Sequence, residues 1–248
     1  MSTRSVFPRR FRVGTLAEVG SHMTSAFRYF VPVCLYPHTQ YRTNAGVSAL
    51  FEKCELRRHD HLIVIADRLL VLDRLVTGRY WTANSALIAA RREAEQISRL
   101  INRVSHKSDA QARGRIVFWD DIAETADYAA FASRLQKEVL GDDMLATTIE
   151  KFASKRVKRF GLGAAPDREF GHEREYLLSE VCMSVYCTEV LGYWMEVWER
   201  PPAPDVPDPL KLLYADRREL IERMTGRPAR RVLDFLNPDT FLRTPNNS

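Results

Sequence analysis

The chain has 248 residues, 45% of them hydrophobic and 28% charged, and 37 Lys and Arg against 32 Asp and Glu give a formal net charge of +5. That size suits one large domain or two small ones, and the composition excludes a disordered tail protein, a collagen-like chain and a disulfide-stapled miniprotein. No apolar run approaches the roughly 20 residues that span a bilayer. The basic amino terminus is not followed by the apolar stretch of a secretory signal. Cys34, Cys54, Cys182 and Cys187 lack zinc-ligand spacing, so the expectation is a cytoplasmic protein with reduced thiols, no metal and no membrane contact.

Residues 1–27 read as a basic arm, with Arg4, Arg9, Arg10 and Arg12 near its start. Tyr29 to Tyr36 (YFVPVCLY) is a short apolar, β-rich run, and Pro32 within it argues for the start of a strand rather than its middle. A polar loop leads to Asn44, and Ala45 to Cys54 has helical spacing. His61 to Ala66 is unbroken apolar sequence ending at Asp67, the pattern of a strand buried on both faces. Strand, helix and strand within about 40 residues form a βαβ unit with parallel pairing.

The spacing then predicts a long helix over Thr82 to Val104. Leu87, Ile88, Ile97, Leu100, Ile101 and Val104 fall on one side, and Arg92, Gln96, Arg99 and Arg103 on another. Arg115 to Trp119 is a third strand. Helical stretches follow at Tyr128 to Leu140 and Asp142 to Arg159, the second ending in Lys151, Lys155, Arg156, Lys158 and Arg159. Glu173 to Tyr186 reads as helix and Val190 to Trp198 as a last strand. The prolines at 201, 202, 204, 207 and 209 mark a stiff linker before the amphipathic Leu210 to Met224. The organisation expected is an arm (1–27), an α/β domain (28–200), and a Pro-rich linker with a C-terminal helix (201–248).

Alternating strands and helices indicate an open, doubly wound α/β fold with a parallel sheet, and such sheets bind ligands at the carboxyl ends of their strands. That directs attention to Tyr36–Asn44, Asp67 and Trp119–Asp121. The chain contains no GxGxxG after the first strand, no GxxxxGK[ST] and no GxSxG, so the glycine loops that cradle nucleotide phosphates are missing and no cofactor is expected. Two features remain. The basic faces around Arg92 and Lys151 could track a phosphate backbone or be solvated helix surface. Tyr176 and Glu180, four apart on a helix, present a phenol beside a carboxylate, which in a half-buried pocket can hold an ammonium or move a proton; the plainer reading is a surface Glu beside a packing Tyr.

From Tyr29 to Trp198 the chain resembles the cyclodipeptide synthases, which build a diketopiperazine from two aminoacyl-tRNAs on a Rossmann-like fold similar to the catalytic domain of class I tyrosyl-tRNA synthetases. The resemblance rests on five features in order: the first strand and loop (VCLYPHTQY), the second strand and acid (LIVIAD), the long helix with Arg92, Arg99 and Arg103, the stretch DDIAETADYAAF with DDMLATTIEKFASKRV, and YLLSE, which matches the family's Y-x-x-x-E motif.

The resemblance implies that Glu180 holds the aminoacyl ammonium and assists proton transfer, with Tyr176 in the same relay. The ester bonds supply the driving force, so neither ATP nor a cofactor is implied. The family's nucleophilic serine falls on Tyr36 and its usual asparagine on Thr39; either could take the serine's role, or the loop register differs, or no acyl-enzyme forms. A later family tyrosine falls on Trp198. Positions lining the family's first side-chain pocket fall on Cys34, Trp119, Met183 and Glu196, with Asp67 and Asp120 close by. Glu196 could pair with a guanidinium on which Trp119 stacks, as in the divergent arginine-using branch described from fungi. The expected partners are therefore arginyl-tRNA and a second aminoacyl-tRNA, held by the two basic faces of a monomer. The alternatives are a lapsed tRNA-binding protein on the same scaffold and a small-molecule transferase.

Overall fold

The unbroken apolar runs become neighbouring inner strands of a parallel sheet. The structure is a computed structural model and describes residues 28–35, 39–76, 82–108, 110–159, 166–199 and 208–235. Its strands are β1 (Arg28–Val33), β2 (Asp60–Ile65), β3 (Gly114–Phe118), β4 (Met195–Trp198) and β5 (Val232–Phe235), in the order β3-β2-β1-β4-β5, every neighbour parallel. Successive side chains leave a strand on opposite faces, and this period divides the core. Phe30, Leu62 and Val64 enter one apolar cluster, while Val31, Val33, Ile63 and Ile65 enter a second on the other face. A sheet covered on both sides is what continuous Val and Ile runs require.

The helices are α1 (Asn44–Lys53), α2 (Asp67–Val76), α3 (Ala83–Lys107), α4 (Trp119–Ala123), α5 (Ala126–Gly141), α6 (Asp143–Arg159), α7 (Pro166–Val185), α8 (Pro209–Asp216) and α9 (Arg218–Thr225). The caps explain several starts: Thr43, Thr82 and Thr125 each accept a backbone N–H from the first turn of α1, α3 and α5. On α3 the buried seam differs from the expected one. Ala86, Ala90 and Ala94 step by four and are fully buried, with Ile97, Ile101 and Val104 continuing the line, whereas Ile88 is 48% exposed. Small side chains let α2 lie close against the seam, so packing distance rather than side-chain size chose the buried face. Among the described residues no helix is long and apolar enough to cross a membrane.

The sequence reading places no helix at α2 or α4, and three further segments depart from it. Pro32 lies near the end of β1, which is the central strand, rather than at its start. The ladder to β4 runs only through Tyr29 and Phe30, so Pro32 lies past the pairing on that side, where a missing N–H costs nothing. The run expected as a strand from Val190 begins pairing only at Met195, because Tyr186–Val190 extends α7 by a turn of π-helix. The segment after the prolines brings α8 and α9 against the main core through Leu210, Leu213, Leu220 and Ile221, and then adds β5 to the sheet.

Candidate active site

A small, narrow cavity lies at the carboxyl ends of the central strands, around β1 and its neighbours β2 and β4. Its walls are Phe30, Pro32 and Cys34 from β1 and its end, Ala66 and Leu69 after β2, Trp119 after β3, Glu180 and Ser184 from α7, and Glu196 and Trp198 from β4, around a free volume of ≈ 10 Å³. Ligands of open α/β sheets bind at such crevices. The space holds about one water, so any larger occupant requires the walls to open.

Of the residues singled out by sequence, Cys34, Trp119, Glu180, Glu196 and Trp198 meet here. Met183 does not line the cavity; it is fully buried among core side chains, 3.6 Å from the Cys187 thiol. Ser184 takes that place, because Tyr176, Glu180 and Ser184 follow one another at steps of four along a single face of α7, and Met183 points elsewhere. Tyr36 lies outside the described residues.

The two cavity carboxylates have opposite surroundings. Glu196 is fully buried and each oxygen is engaged: Oε1 accepts from Trp198 Nε1 at 2.9 Å, and Oε2 from Ser184 Oγ at 2.7 Å and from Arg231 Nε. The guanidinium that Glu196 was expected to receive from a substrate is thus supplied by the chain itself. Glu180 makes no hydrogen bond or ion pair with any described residue. Burial pushes its carboxyl up to about 8, against the opposing pull of the Arg156 charge. The Cys34 thiol, facing the same space, is likewise pushed up by burial and by Glu180.

Tyr176, one turn before Glu180, is 4% exposed and lies beneath the Arg156 guanidinium at 4.8 Å. Arg156 departs from its expected place on a basic surface. Its side chain is 17% exposed and forms a 2.8 Å ion pair with the fully buried Glu173. The helical period explains the split: Lys151, Lys155 and Lys158 share the exposed face of α6, and residue 156 is turned toward α7. Arg159 is the last residue of α6. On α3, Arg92, Arg99 and Arg103 are exposed, as their spacing predicts, and Arg99 meets Glu95 at 3.2 Å. Arg103 also borders a wide groove of ≈ 590 Å³ between α1 and the end of α3. That groove is larger than the cavity at the strand ends, but it is lined by other elements.

Asp67 and Asp120 sit beside the cavity rather than in its wall. Asp67 is 2% exposed, and its Oδ1 accepts the backbone N–H groups of Arg68 and Asp120 at 3.0 and 3.4 Å. Burial and the neighbouring Asp120 push it up to about 7. Asp120 itself pairs with Arg91 at 3.3 Å and Arg68 at 3.9 Å.

Thr39 is 5% exposed and caps the short 3-10 turn Gln40–Arg42; its hydroxyl donates to Glu199 Oε2 at 2.7 Å. Glu199 Oε1 accepts the Gln40 N–H at 2.6 Å, which ties the loop after β1 to the end of β4. Gly46 permits this arrangement, since a Cβ there would strike the Gln40 carbonyl. Glu199, Ser184 and Arg231 were missed by sequence reasoning. Only Ser184 carried a usable signal, its step of four from Glu180.

The sequence matches no protein-family model and no curated protein. Solved structures do match. AlbC, a cyclodipeptide synthase from Streptomyces noursei, superposes with a TM-score of 0.62 at 16% identity, over 87% of this chain and 98% of that one. A cyclodipeptide synthase from Fluoribacter dumoffii gives 0.62 at 17% identity, over 83% and 88%. One from Candidatus Glomeribacter gigasporarum, determined bound to Phe-tRNAPhe, gives 0.56 at 14% identity, over 86% and 88%. The parallel sheet and its covering helices have the fold of the cyclodipeptide synthases.

Proposed function

We propose that the chain is an aminoacyl-tRNA-using enzyme that joins two aminoacyl groups into a cyclic dipeptide. The observation that carries this reading is Glu180, a carboxyl with no bonded partner among the described residues, in a cavity at the carboxyl ends of the central strands. An α-ammonium entering beside it favours the ionised form, so binding there releases the proton that burial retains. The same carboxylate can then take a proton from the ammonium and free the amine for attack. Tyr176 lies one turn away under Arg156, whose charge favours the ionised form of Glu180. The fold shared with cyclodipeptide synthases, one of them with Phe-tRNAPhe, supports aminoacyl-tRNA as the substrate class.

The exposed faces carrying Arg92, Arg99 and Arg103 on α3 and Lys151, Lys155 and Lys158 on α6, with Arg159 after them, hold the tRNA backbone. The acyl acceptor is Tyr36 or Thr39. At Thr39 the hydroxyl oxygen would attack the ester carbonyl, its proton would pass to Glu199, and the tRNA 3′-oxygen would leave with that proton. The amine of the bound aminoacyl group then attacks the second ester, and ring closure regenerates the hydroxyl. The aminoacyl esters drive each step, a monomer suffices, and the supply of charged tRNA puts the reaction in the cytoplasm.

Arginine is the proposed first amino acid. Trp119 and Trp198 flank Glu196 in the cavity wall, an aromatic and anionic setting suited to a guanidinium. Because Arg231 already occupies Glu196, a substrate guanidinium has to exchange with it.

The test is incubation with mixed charged tRNAs, arginyl-tRNA included, followed by mass spectrometry. A diketopiperazine, with arginine in it, is the expected product. Tight tRNA binding with no product from any charged pair would instead make this a tRNA-binding protein on the same scaffold.

A further inference from the structure

The Glu196–Arg231 pair is almost wholly withdrawn from water, with 0% and 5% side-chain exposure. Arg231 is also held by its ring and backbone contacts. Its guanidinium lies 4.8 Å over the Tyr214 ring, and the Tyr214 hydroxyl is 3.0 Å from Thr188 Oγ1. Its backbone N–H donates to Glu189 Oε1 at 2.9 Å, and the Arg230 N–H is 3.1 Å from both oxygens of the same carboxylate. Glu189 is itself 1% exposed, on the π-turn that ends α7. Residue 231 therefore arrives at the cavity wall on a segment built to deliver it, just before β5 joins the sheet.

A buried ion pair of this kind is no necessity for stability, since well-packed apolar residues often serve equally well. Its location gives it another consequence. Glu196 faces the cavity on one side and receives Arg231 on the other. While Arg231 is in place the floor of the cavity carries no net charge, and a neutral side chain meets a neutral wall. A cationic side chain has to compete for the same carboxylate.

We infer that Arg231 is a specificity-determining residue: a guanidinium of the chain's own that fills the cation subsite on Glu196, and that a substrate guanidinium must displace. The inference rests on the reading that this cavity takes the aminoacyl side chain. Exchange of one guanidinium for another leaves the buried charge unchanged and preserves planar hydrogen bonding, which an ammonium cannot reproduce. Arginine is therefore the cation best able to enter, and removal of Arg231 removes its competitor.

The experiment compares wild type, Arg231→Ala, Arg231→Gln and Arg231→Lys, each given arginyl-tRNA in competition with a neutral aminoacyl-tRNA. Without the guanidinium, the ratio of arginine-containing to neutral product should rise roughly tenfold or more, as for a charge left without its partner. The change should appear in KM for arginyl-tRNA with kcat little altered. Arg231→Lys keeps a cation but loses the planar hydrogen bonding, and should give a ratio between wild type and the neutral variants. An unchanged ratio in both neutral variants overturns the inference.

A second measurement needs no turnover and covers a variant too unstable to assay. Ethylguanidinium should raise the thermal midpoint of Arg231→Ala and leave that of wild type unmoved, because only the variant has a vacant subsite. No response in the variant overturns the subsite itself. Absence of product from wild type would instead count against the proposed function, with the ethylguanidinium result still deciding the subsite.

Discussion

Glu180 and Glu196 line one cavity and are held in opposite ways, Glu196 fully buried and Glu180 only partly covered. Glu196 has Ser184, Trp198 and Arg231 on its two oxygens; Glu180 has no hydrogen bond or ion pair among the described residues, and its carboxyl rises to about 8. A carboxylate with both oxygens engaged shapes a site. A carboxyl kept from partners is ready to exchange a proton or receive a cation. The difference in bonding separates shaping from chemistry, and accessibility runs with it, since Glu196 is fully buried and Glu180 half-buried.

The largest expected effect comes from removing the free group. Glu180→Gln should lower cyclic-dipeptide formation by roughly 10²–10⁴-fold, the usual contribution of a positioned acid–base group, while tRNA affinity is retained. Glu196→Gln should instead alter which amino acid is used. Equal loss of turnover in both variants, measured by product mass spectrometry, would erase the distinction between them.

Stability should show the reverse order. Arg231→Met leaves Glu196 buried without its cation and should cost about 3–5 kcal/mol in urea unfolding. The double variant Glu196→Gln/Arg231→Met should recover most of that loss, because no charge is then stranded. A single variant as stable as wild type would mean that water reaches Glu196.

Replacement of Arg92, Arg99 and Arg103 by alanine should weaken tRNA binding. The slope of log affinity against log salt should flatten by about 2–3, since each arginine removed leaves one phosphate with its own counterion. Replacement of Arg156 should leave the slope unchanged, since that side chain faces Glu173 and Tyr176.

A smaller effect follows from pH. Folding raises the Glu180 carboxyl from 4.5 to about 8, so between those values the folded chain keeps a proton that the unfolded chain has released. Stability contributed by the protonated group is full below pH 4.5 and declines as pH rises through 8. Glu180→Gln should flatten that part of the stability–pH curve and gain most, relative to wild type, near pH 8. Asp67, pushed up to about 7, contributes in the same direction and remains in the variant. The smallest expected effect on stability is that of Thr39→Val, which removes the cap of the 3-10 turn and should cost about 0.5–2 kcal/mol in urea unfolding; its effect on turnover is separate and should be complete loss of product if Thr39 is the acyl acceptor.

Much of this arrangement was legible in the sequence because it is local. The apolar runs around Val31 and Ile63 mark inner strands, and the step from Tyr176 to Glu180 marks one helix face. The period of two and the period of 3.6 are properties of short segments. What escaped is non-local. Thr39 meets Glu199 across 160 positions, and Glu196 meets Arg231 across 35. No periodicity records which strand will lie beside which, so β5 and the guanidinium it brings emerge only from the folded sheet. The misplaced Met183 is a different kind of error: helix geometry already favoured Ser184, four residues from Glu180.

The asymmetry between the two carboxylates is read most directly by a carbon-13 NMR titration of side-chain carboxyls, with the Glu180 resonance assigned as the one absent from Glu180→Gln. It should titrate near pH 8 and move to lower pH on addition of an amino-acid amide, a stable stand-in for the aminoacyl ester. A Glu180 resonance that titrates near 4.5 and ignores the amide would contradict the account.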